Sequence, residues 1–518
     1  MPQPFVNRRL WTVFTATSVL TACGGGQNDK TTTTTSAPAP APAASVTLQS
    51  IGVEPASVIT VVGGSQQFVV RGRYSDGSTA LINSGVTWAS SAATVADVGA
   101  STGLATAASA GTATLTATYG SLIATGTHTV STPYAALAAG GAHANGIKTD
   151  GTLWGWGLNR TGQVGDNTQT DRLVPTAVGT AKIWAMLADG EFHSLGLQTD
   201  GTLWAWGFNQ NGQLGQGNFG DLKKPTAIGT KKDWVTLSAG QYHSGAINKV
   251  GELYMWGRNA SGQLGDGTVA DRPDPTLIVL PTAYQTAVEA AATAAGLTFT
   301  LAWTHVAAGA DHTLARMNDG SLWAWGSNFN GQLGRVTLTP GTASTATGSA
   351  PALSPGRVVL LRADGSEEAA SWSRLAGGGS HSLAVRSTGE LYAWGSNLYG
   401  QLGLATNANM AAPTRVGTDG DWSQIAAGAD YSIAIRLNGT FWSWGSNGDG
   451  QLGNGGQNNV AQPTQVGTGS NWVKLAAGRS SSYGLRTDGL LLGWGRNVEG
   501  QLGNGTVNSR ALVPTPIP

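Results

Sequence analysis

Five histidines of this 518-residue chain, His143, His193, His243, His312 and His381, each stand thirteen residues before a Trp-Gly pair. Imidazoles recurring at one position invite a metal-site reading. Two further copies of the pattern carry Tyr431 and Ser481 there. Imidazole, phenol and hydroxyl share hydrogen bonding but not affinity for soft metals. The position therefore reads as a structural hydrogen bond between strands or blades, with no metal and no cofactor. His standing beside Ser, as at His193-Ser194, imitates a nucleophile–base pair. A catalytic dyad occurs once, with its own orienting acid, so a pair repeated around the chain argues for architecture. No phosphate-binding loop, zinc spacing or paired catalytic carboxylates stand out, and the expectation is a non-enzymatic protein without catalytic residues.

The remaining reactive group is the single cysteine, Cys23. Arg8 and Arg9 precede an apolar stretch from Leu10 to Leu20, too short to span a bilayer, and Leu20-Thr21-Ala22-Cys23 follows. This end resembles the bacterial lipoprotein box. The resemblance implies that residues 1–22 are a signal peptide, that Cys23 is lipidated and acylated, and that the chain is anchored in the bacterial cell envelope. An outer-membrane, cell-surface or periplasmic position stays open. Residues 23–45 read as a linker, because the run Thr31–Thr35 and the alternating Ala-Pro after it favour extended backbone over a packed core.

The elements that would position the histidines form a repeat. Trp-Gly pairs begin at Trp156, Trp206, Trp256, Trp325, Trp394, Trp444 and Trp494, with spacings of 50, 50, 69, 69, 50 and 50 residues. Each copy offers an aromatic-led strand, the strand begun by the His position, an Asp-Gly or Asn-Gly type turn, the Leu-Trp-x-Trp-Gly strand, an Asn-x-x-Gly-Gln-Leu-Gly loop and a Pro-Thr strand. Four strands repeated seven times predict a seven-bladed β-propeller over 132–518. The chain closes on a Pro-Thr strand, and the repeats open at Tyr134, the strand that elsewhere follows Pro-Thr. The last strand is thus expected to complete the sheet that Tyr134 starts.

The two long spacings each hold 19 extra residues. The first insertion has helical periodicity, with Tyr284, Val288 and Ala292 on one stripe. The second, between Gly334 and Trp372, is rich in Thr, Ser, Ala and Pro and reads as a flexible loop. Residues 46–131 hold about seven short strands rich in Val and Thr, a β-sandwich pattern. Their order, with Gly63-Gly64, Tyr74-Ser75-Asp76-Gly77 and Val86-Thr87-Trp88, resembles the bacterial immunoglobulin-like group 2 domains, and Trp88 is the expected core aromatic. The fold class is all-β: an immunoglobulin-like sandwich followed by a propeller.

The motifs A-G-x-x-H-S, D-G-x-L-W-x-W-G and N-x-x-G-Q-L-G, in seven copies that vary at single positions, resemble the regulator of chromosome condensation repeat family. The resemblance implies the propeller. It also brings to mind a GTPase exchange factor that binds chromatin, but an exported chain does not meet a cytosolic GTPase. Lys+Arg and Asp+Glu balance at 29 each, and charged residues are only 11% of the chain. That leaves no basic excess for nucleic acid, and membrane contact is expected only through the anchor.

Repeat constants build the ring, so a partner should be read where blades differ. The expected protein-binding residues are Glu191, Phe192, Gln241, Tyr242, Asp311, Asp430, Tyr431 and Arg479, with Phe192 and Tyr242 as an aromatic anchor. The leading expectation is a cell-envelope lipoprotein whose propeller is a protein-binding scaffold. A glycan or cell-wall binding module is the second reading, and a GTPase regulator, by family resemblance alone, the third.

Overall fold

The computed structural model describes residues 45–335, 350–362, 364 and 366–518. The expected signal peptide, Cys23, all but the last residue of the linker and residues 336–349 of the second insertion lie outside the described residues.

The first domain is a sandwich of short strands. Leu48–Glu54, Val69–Tyr74 and Thr79–Ile82 form one sheet; Ser57–Val61, Leu122–Ser131, Gly111–Tyr119 and Thr87–Ser90 form another. Alternation of side chains sends Phe68, Val70, Trp88, Leu115 and Val130 into one core. Trp88 is 7% exposed and its ring lies 6.4 Å from that of Phe68. The strand Leu122–Ser131 escapes the sequence reading, although it is the longest in the domain and pairs on both sides. His128 explains the omission: a polar residue stands at a core position, fully buried, with its Nε2 2.8 Å from the Thr60 hydroxyl.

Seven four-stranded sheets follow, each built from consecutive antiparallel strands. Blade 1 runs Tyr134–Ala139, His143–Lys148, Leu153–Gly157, Arg172–Ala177, and blade 7 runs Trp472–Ala477, Ser481–Arg486, Leu491–Gly495, Ala511–Pro516. The first strand of each blade lines the axial channel and the Pro-containing strand lies outermost. Pro lacks an N–H and belongs on an edge. The loops before the histidines and the Gly-Gln-Leu-Gly loops share one face, called here the loop face. The tight turns and the connections between blades share the other, the turn face. In those turns Asp150 Oδ1 accepts from the Thr152 N–H and hydroxyl, and Gly151 takes φ +81° beside the Lys182 carbonyl, where a Cβ has no room.

Blades are joined by the repeat constants. Trp206 is fully buried and its indole N–H donates to the Gln163 carbonyl of blade 1 at 2.9 Å. The same bond recurs at Trp156, Trp256, Trp325, Trp394, Trp444 and Trp494. The Asn and Gln of each loop are buried and hold loop backbone: Asn209 Oδ1 accepts from Leu214 N–H and Gln213 Oε1 from Asn211 N–H.

Ring closure differs from the expectation. The last strand, Ala511–Pro516, pairs with Leu491–Gly495 inside blade 7, and Tyr134–Ala139 pairs only with His143–Lys148. Two strands lie between the inner and the outer strand of a blade, so a Pro-Thr strand has no place beside Tyr134. The last seam closes by the means used at the other six. Trp156 donates to the Gln501 carbonyl at 2.8 Å, and the Arg479 N–H to the Gly140 carbonyl at 3.3 Å. Tyr134 Oη also donates to the Pro518 carbonyl at 3.3 Å.

The first insertion is the helix Thr282–Ala294, whose Tyr284 and Val288 pack on the blade 4 cluster around Trp303 and Trp323. The second insertion is only partly loop. Its described end forms a small hairpin, Leu360–Leu361 with Glu367–Glu368, because Leu360 buries beside Trp372 and Arg386 pairs with Glu368. The register Ala324↔Gly356 also makes Pro355-Gly356 the Pro-Thr equivalent of this blade. On the turn face of blade 7, Ile59 and Val61 of the sandwich join the cluster of Trp472, Leu490 and Leu492.

Candidate functional site

The five histidines lie in the seams, each fully buried. Nε2 of His143, His193, His243, His312 and His381 lies 2.9 to 3.1 Å from a hydroxyl of the next blade: Ser194, Ser244, Thr313, Ser382 and Ser432. Each hydroxyl also donates to a carbonyl, as Ser194 does to Gln163 at 3.0 Å. A carbonyl only accepts, so the hydroxyl proton is committed to it, and the imidazole must donate from Nε2. Nδ1 is then the bare nitrogen, and it has no partner at any of the five. Burial holds the imidazoles neutral, with pKa values down to about 3, or about 4 for His312. The hydroxyl partner belongs to the neighbouring blade and not to the residue following His. Ala144 follows His143 and Thr313 follows His312, so His-Ser adjacency holds in only three copies.

One seam differs from the rest. Asn145 and Asp189 replace small or apolar repeat residues on facing strands, and Asn145 Nδ2 donates to Asp189 Oδ1 at 2.9 Å. The Asp189 side chain is fully buried and its other oxygen has no partner, and burial raises its carboxyl to about 7.

At the loop face the A-G loops form a closed circle of backbone hydrogen bonds. Glu191 N–H donates to Gln241, Gln241 to Gly309, Ala310 to Gly378, Gly379 to Gly428, Ala429 to Arg479, Arg479 to Gly140 and Gly141 to Gly190. The varying side chains stand on this circle around a cavity of about 390 Å³ lined by Asp189, Glu191, Asp311, Asp430 and Arg479. Arg479 reaches Glu191 at 2.8 Å across blade 1, which offers only Gly141 and Ala142 there. A Cβ on Gly141 would stand 2.8 Å from the Glu191 carboxyl carbon, so glycine makes room for the pair. Arg258 Nη1 lies 3.1 Å from Asp311 Oδ1, which also accepts from Gln263 at 3.0 Å. Asp430 has Gln401 Nε2 at 3.4 Å, and burial raises its carboxyl while Arg479 opposes the shift.

Phe192 and Tyr242 stand on adjacent blades with ring centroids 6.3 Å apart, and Phe208 completes a triangle at 6.3 and 6.1 Å. Arg258 lies 6.0 Å from the Tyr242 ring. All four side chains are half-buried. Gln241 stands beside Tyr242 on the same loop, contributing the carbonyl of the circle.

Tyr431 must be withdrawn from the partner-binding set. It is fully buried, and its phenol donates to the Ser481 carbonyl at 2.7 Å, doing the seam work of the histidines. Phe208 and Arg258 are the residues that the sequence reading missed. They stand two after the Trp, where other copies carry Leu158, Ser327, Ser396, Ser446 and Arg496, and that variation was the available signal.

Comparison with known proteins fits this geometry. The RCC1-like domain matches residues 300–518, and the regulator of chromosome condensation (RCC1) repeat matches 150–197, 200–247 and 250–316, with a second form of the repeat at 134–163. The chain belongs to the RCC1 repeat family. A bacterial Ig-like domain (group 2) matches 47–130 ahead of the RCC1 repeats. Among curated relatives, the probable E3 ubiquitin-protein ligase HERC3 of Homo sapiens is 35% identical over 111 residues, 21% of this chain and 9% of that protein. The ultraviolet-B receptor UVR8 of Arabidopsis thaliana is 29% identical over 150 residues, 21% of this chain and 33% of that protein. The chain thus spans a third or less of these relatives. In three dimensions, human WBSCR16 is similar with a TM-score of 0.58 at 23% identity, covering 70% of this chain and 89% of that one. Prp20p of Saccharomyces cerevisiae, a protein described together with its binding to Gsp1p and histones, has a TM-score of 0.57 at 22% identity, covering 72% and 87%. These two structures share the propeller fold.

Proposed function

We propose that this RCC1-family chain is a protein-binding scaffold of the bacterial cell envelope, held by a lipid at Cys23 and engaging its partner through the loop face. The observation that carries the binding surface is the aromatic triangle of Phe192, Phe208 and Tyr242, flanked by the Glu191–Arg479 and Arg258–Asp311 pairs. Aromatic and Arg side chains backed by rigid scaffold are the usual anchors of protein interfaces. A propeller supplies that rigidity, since each loop is tied to its neighbours by backbone bonds.

Replacing Phe192 and Tyr242 together with Ala is expected to weaken capture of the partner, cross-linked and pulled down from the native envelope, by roughly 30-fold or more, at about 2 kcal/mol or more for the pair together. The melting temperature should stay close to that of the parent. Unchanged capture would remove this surface from the interface, and capture that free sugar displaces would turn the reading to glycan. The anchor rests on the Leu20-Thr21-Ala22-Cys23 motif. Cys23→Ala should move the protein from the membrane to the soluble fraction, and continued membrane association would refute lipidation at this residue.

A further inference from the structure

The turn-face end of the axial channel carries a second set of varying side chains. In every blade the inner strand shifts register just after its first aromatic, as between Trp372 and Arg374, Trp422 and Gln424, and Trp472 and Lys474. The shift leaves the carbonyl of the intervening residue out of the ladder. In three consecutive seams the preceding blade supplies a donor to that carbonyl. Arg374 Nε donates to Ser423 O at 3.2 Å, Gln424 Nε2 to Val473 O, and Lys474 Nζ to Ala135 O at 2.6 Å.

A neutral amide thus does the same structural work as two cations, so the seams do not require the charges of Arg374 and Lys474. Neither cation has a carboxylate within 4.0 Å among the described residues. A third guanidinium, Arg316, stands nearby with Nη2 2.9 Å from His305 Nδ1. Burial, then Arg316 and Arg374, hold His305 below its usual range, so the field here is positive. The cavity at this end measures about 430 Å³. Blades 5 to 7 line it with Arg374, Gln424 and Lys474, while blades 1 and 2 line it with Leu137, Met186 and Leu187. Both cations stand on one side, where Ile425 and Leu475 add apolar surface beside them, and the other side is wholly apolar.

We propose that this cavity binds an amphiphilic organic anion, with its carboxylate or sulfonate head at Arg374 and Lys474 and its apolar body against Met186 and Leu187. An uncompensated pair of cations gains most from an anion that also covers adjoining apolar surface. The site is independent of the loop-face interface.

The test uses the full chain and the fluorescent sulfonate 1-anilinonaphthalene-8-sulfonate, with octanoate, octanol and inorganic phosphate as competitors. The expected result is saturable fluorescence enhancement that octanoate displaces at concentrations where octanol and phosphate do not. The double variant Arg374→Gln, Lys474→Gln keeps an amide donor in each seam, as Gln424 does, and should bind the sulfonate at least tenfold more weakly with its melting temperature retained. Met186→Asp, which changes the apolar wall and leaves the seams intact, should weaken binding to a similar degree and settles the matter should the double variant fail to fold. Absence of saturable binding, or undiminished binding by these variants, would overturn the proposal. Equal displacement by octanol would remove the anionic head from it, and equal displacement by phosphate the apolar body.

Discussion

Lowering the pH from 6.5 towards 4 is expected to unfold the propeller cooperatively, with net uptake of about four protons. Five buried imidazoles have their pKa depressed from 6.5 to about 3, or about 4 for His312. In the unfolded chain each takes a proton near pH 6.5, while in the folded chain each stays neutral. Between these values the unfolded state binds more protons, so the stabilisation present above pH 6.5 is lost as pH falls. Each contributes a slope of about 1.4 kcal/mol per pH unit, and five give about 7. Asp189 works the other way: its carboxyl is raised to about 7, so the folded state holds that proton, and stability falls as pH rises from about 4 to about 7. One proton against five leaves the net at about four. With total stability on the order of 5–15 kcal/mol, the unfolding midpoint should fall at about pH 5. Urea titrations followed by circular dichroism at successive pH values give the slope. A slope near zero between pH 6.5 and 5 would mean that the seam imidazoles are not buried and neutral.

Trp206→Ala should cost about 3–5 kcal/mol, measured as a lower urea midpoint at unchanged m-value. The side chain is fully buried, packs its ring 5.9 Å from that of Trp184, and spans the seam by its bond to the Gln163 carbonyl. Removing it opens a void between two blades and takes away one of the two donors to that carbonyl, leaving Ser194. Phe329→Ala provides the contrast. Phe329 is 63% exposed on the loop face, and its loss should change stability by less than about 0.5 kcal/mol. Equal effects at the two sites would show that the Trp does not hold the seam.

The ring was legible in the sequence because its parts repeat. The Trp-Gly pairs, the loop Asn and the loop Gln each recur seven times, and each copy does the same job. The His position was legible for a related reason: Tyr431 and Ser481 restrict it to hydrogen bonding. The partner of that bond was not legible, since Ser194 lies 51 residues from His143 and reaches it across a seam. Closure failed for lack of spatial order: succession along the chain does not say which strand is innermost. Tyr431 looked like a binding residue because it departs from its neighbours, yet departure alone does not distinguish a side chain facing the mouth from one filling a seam. The triangle needed Phe208, whose contact with Phe192 and Tyr242 depends on how two different loops fold over one another.

Every blade is made of four consecutive strands, and all seven seams share the Trp-to-carbonyl bond and a link of the backbone circle in the same rotational sense. The ring therefore keeps no record of where the polypeptide enters it. Blade 1 is first only in the chain, and its innermost strand lies within a hydrogen bond of the final residue. Among such ring designs this one is open to circular permutation: a chain rejoined at Pro518 and reopened at another outer-to-inner connection divides no sheet. Insertions such as the helix Thr282–Ala294 sit at one of those connections, so the fold can acquire new segments there without touching the bonds that close it.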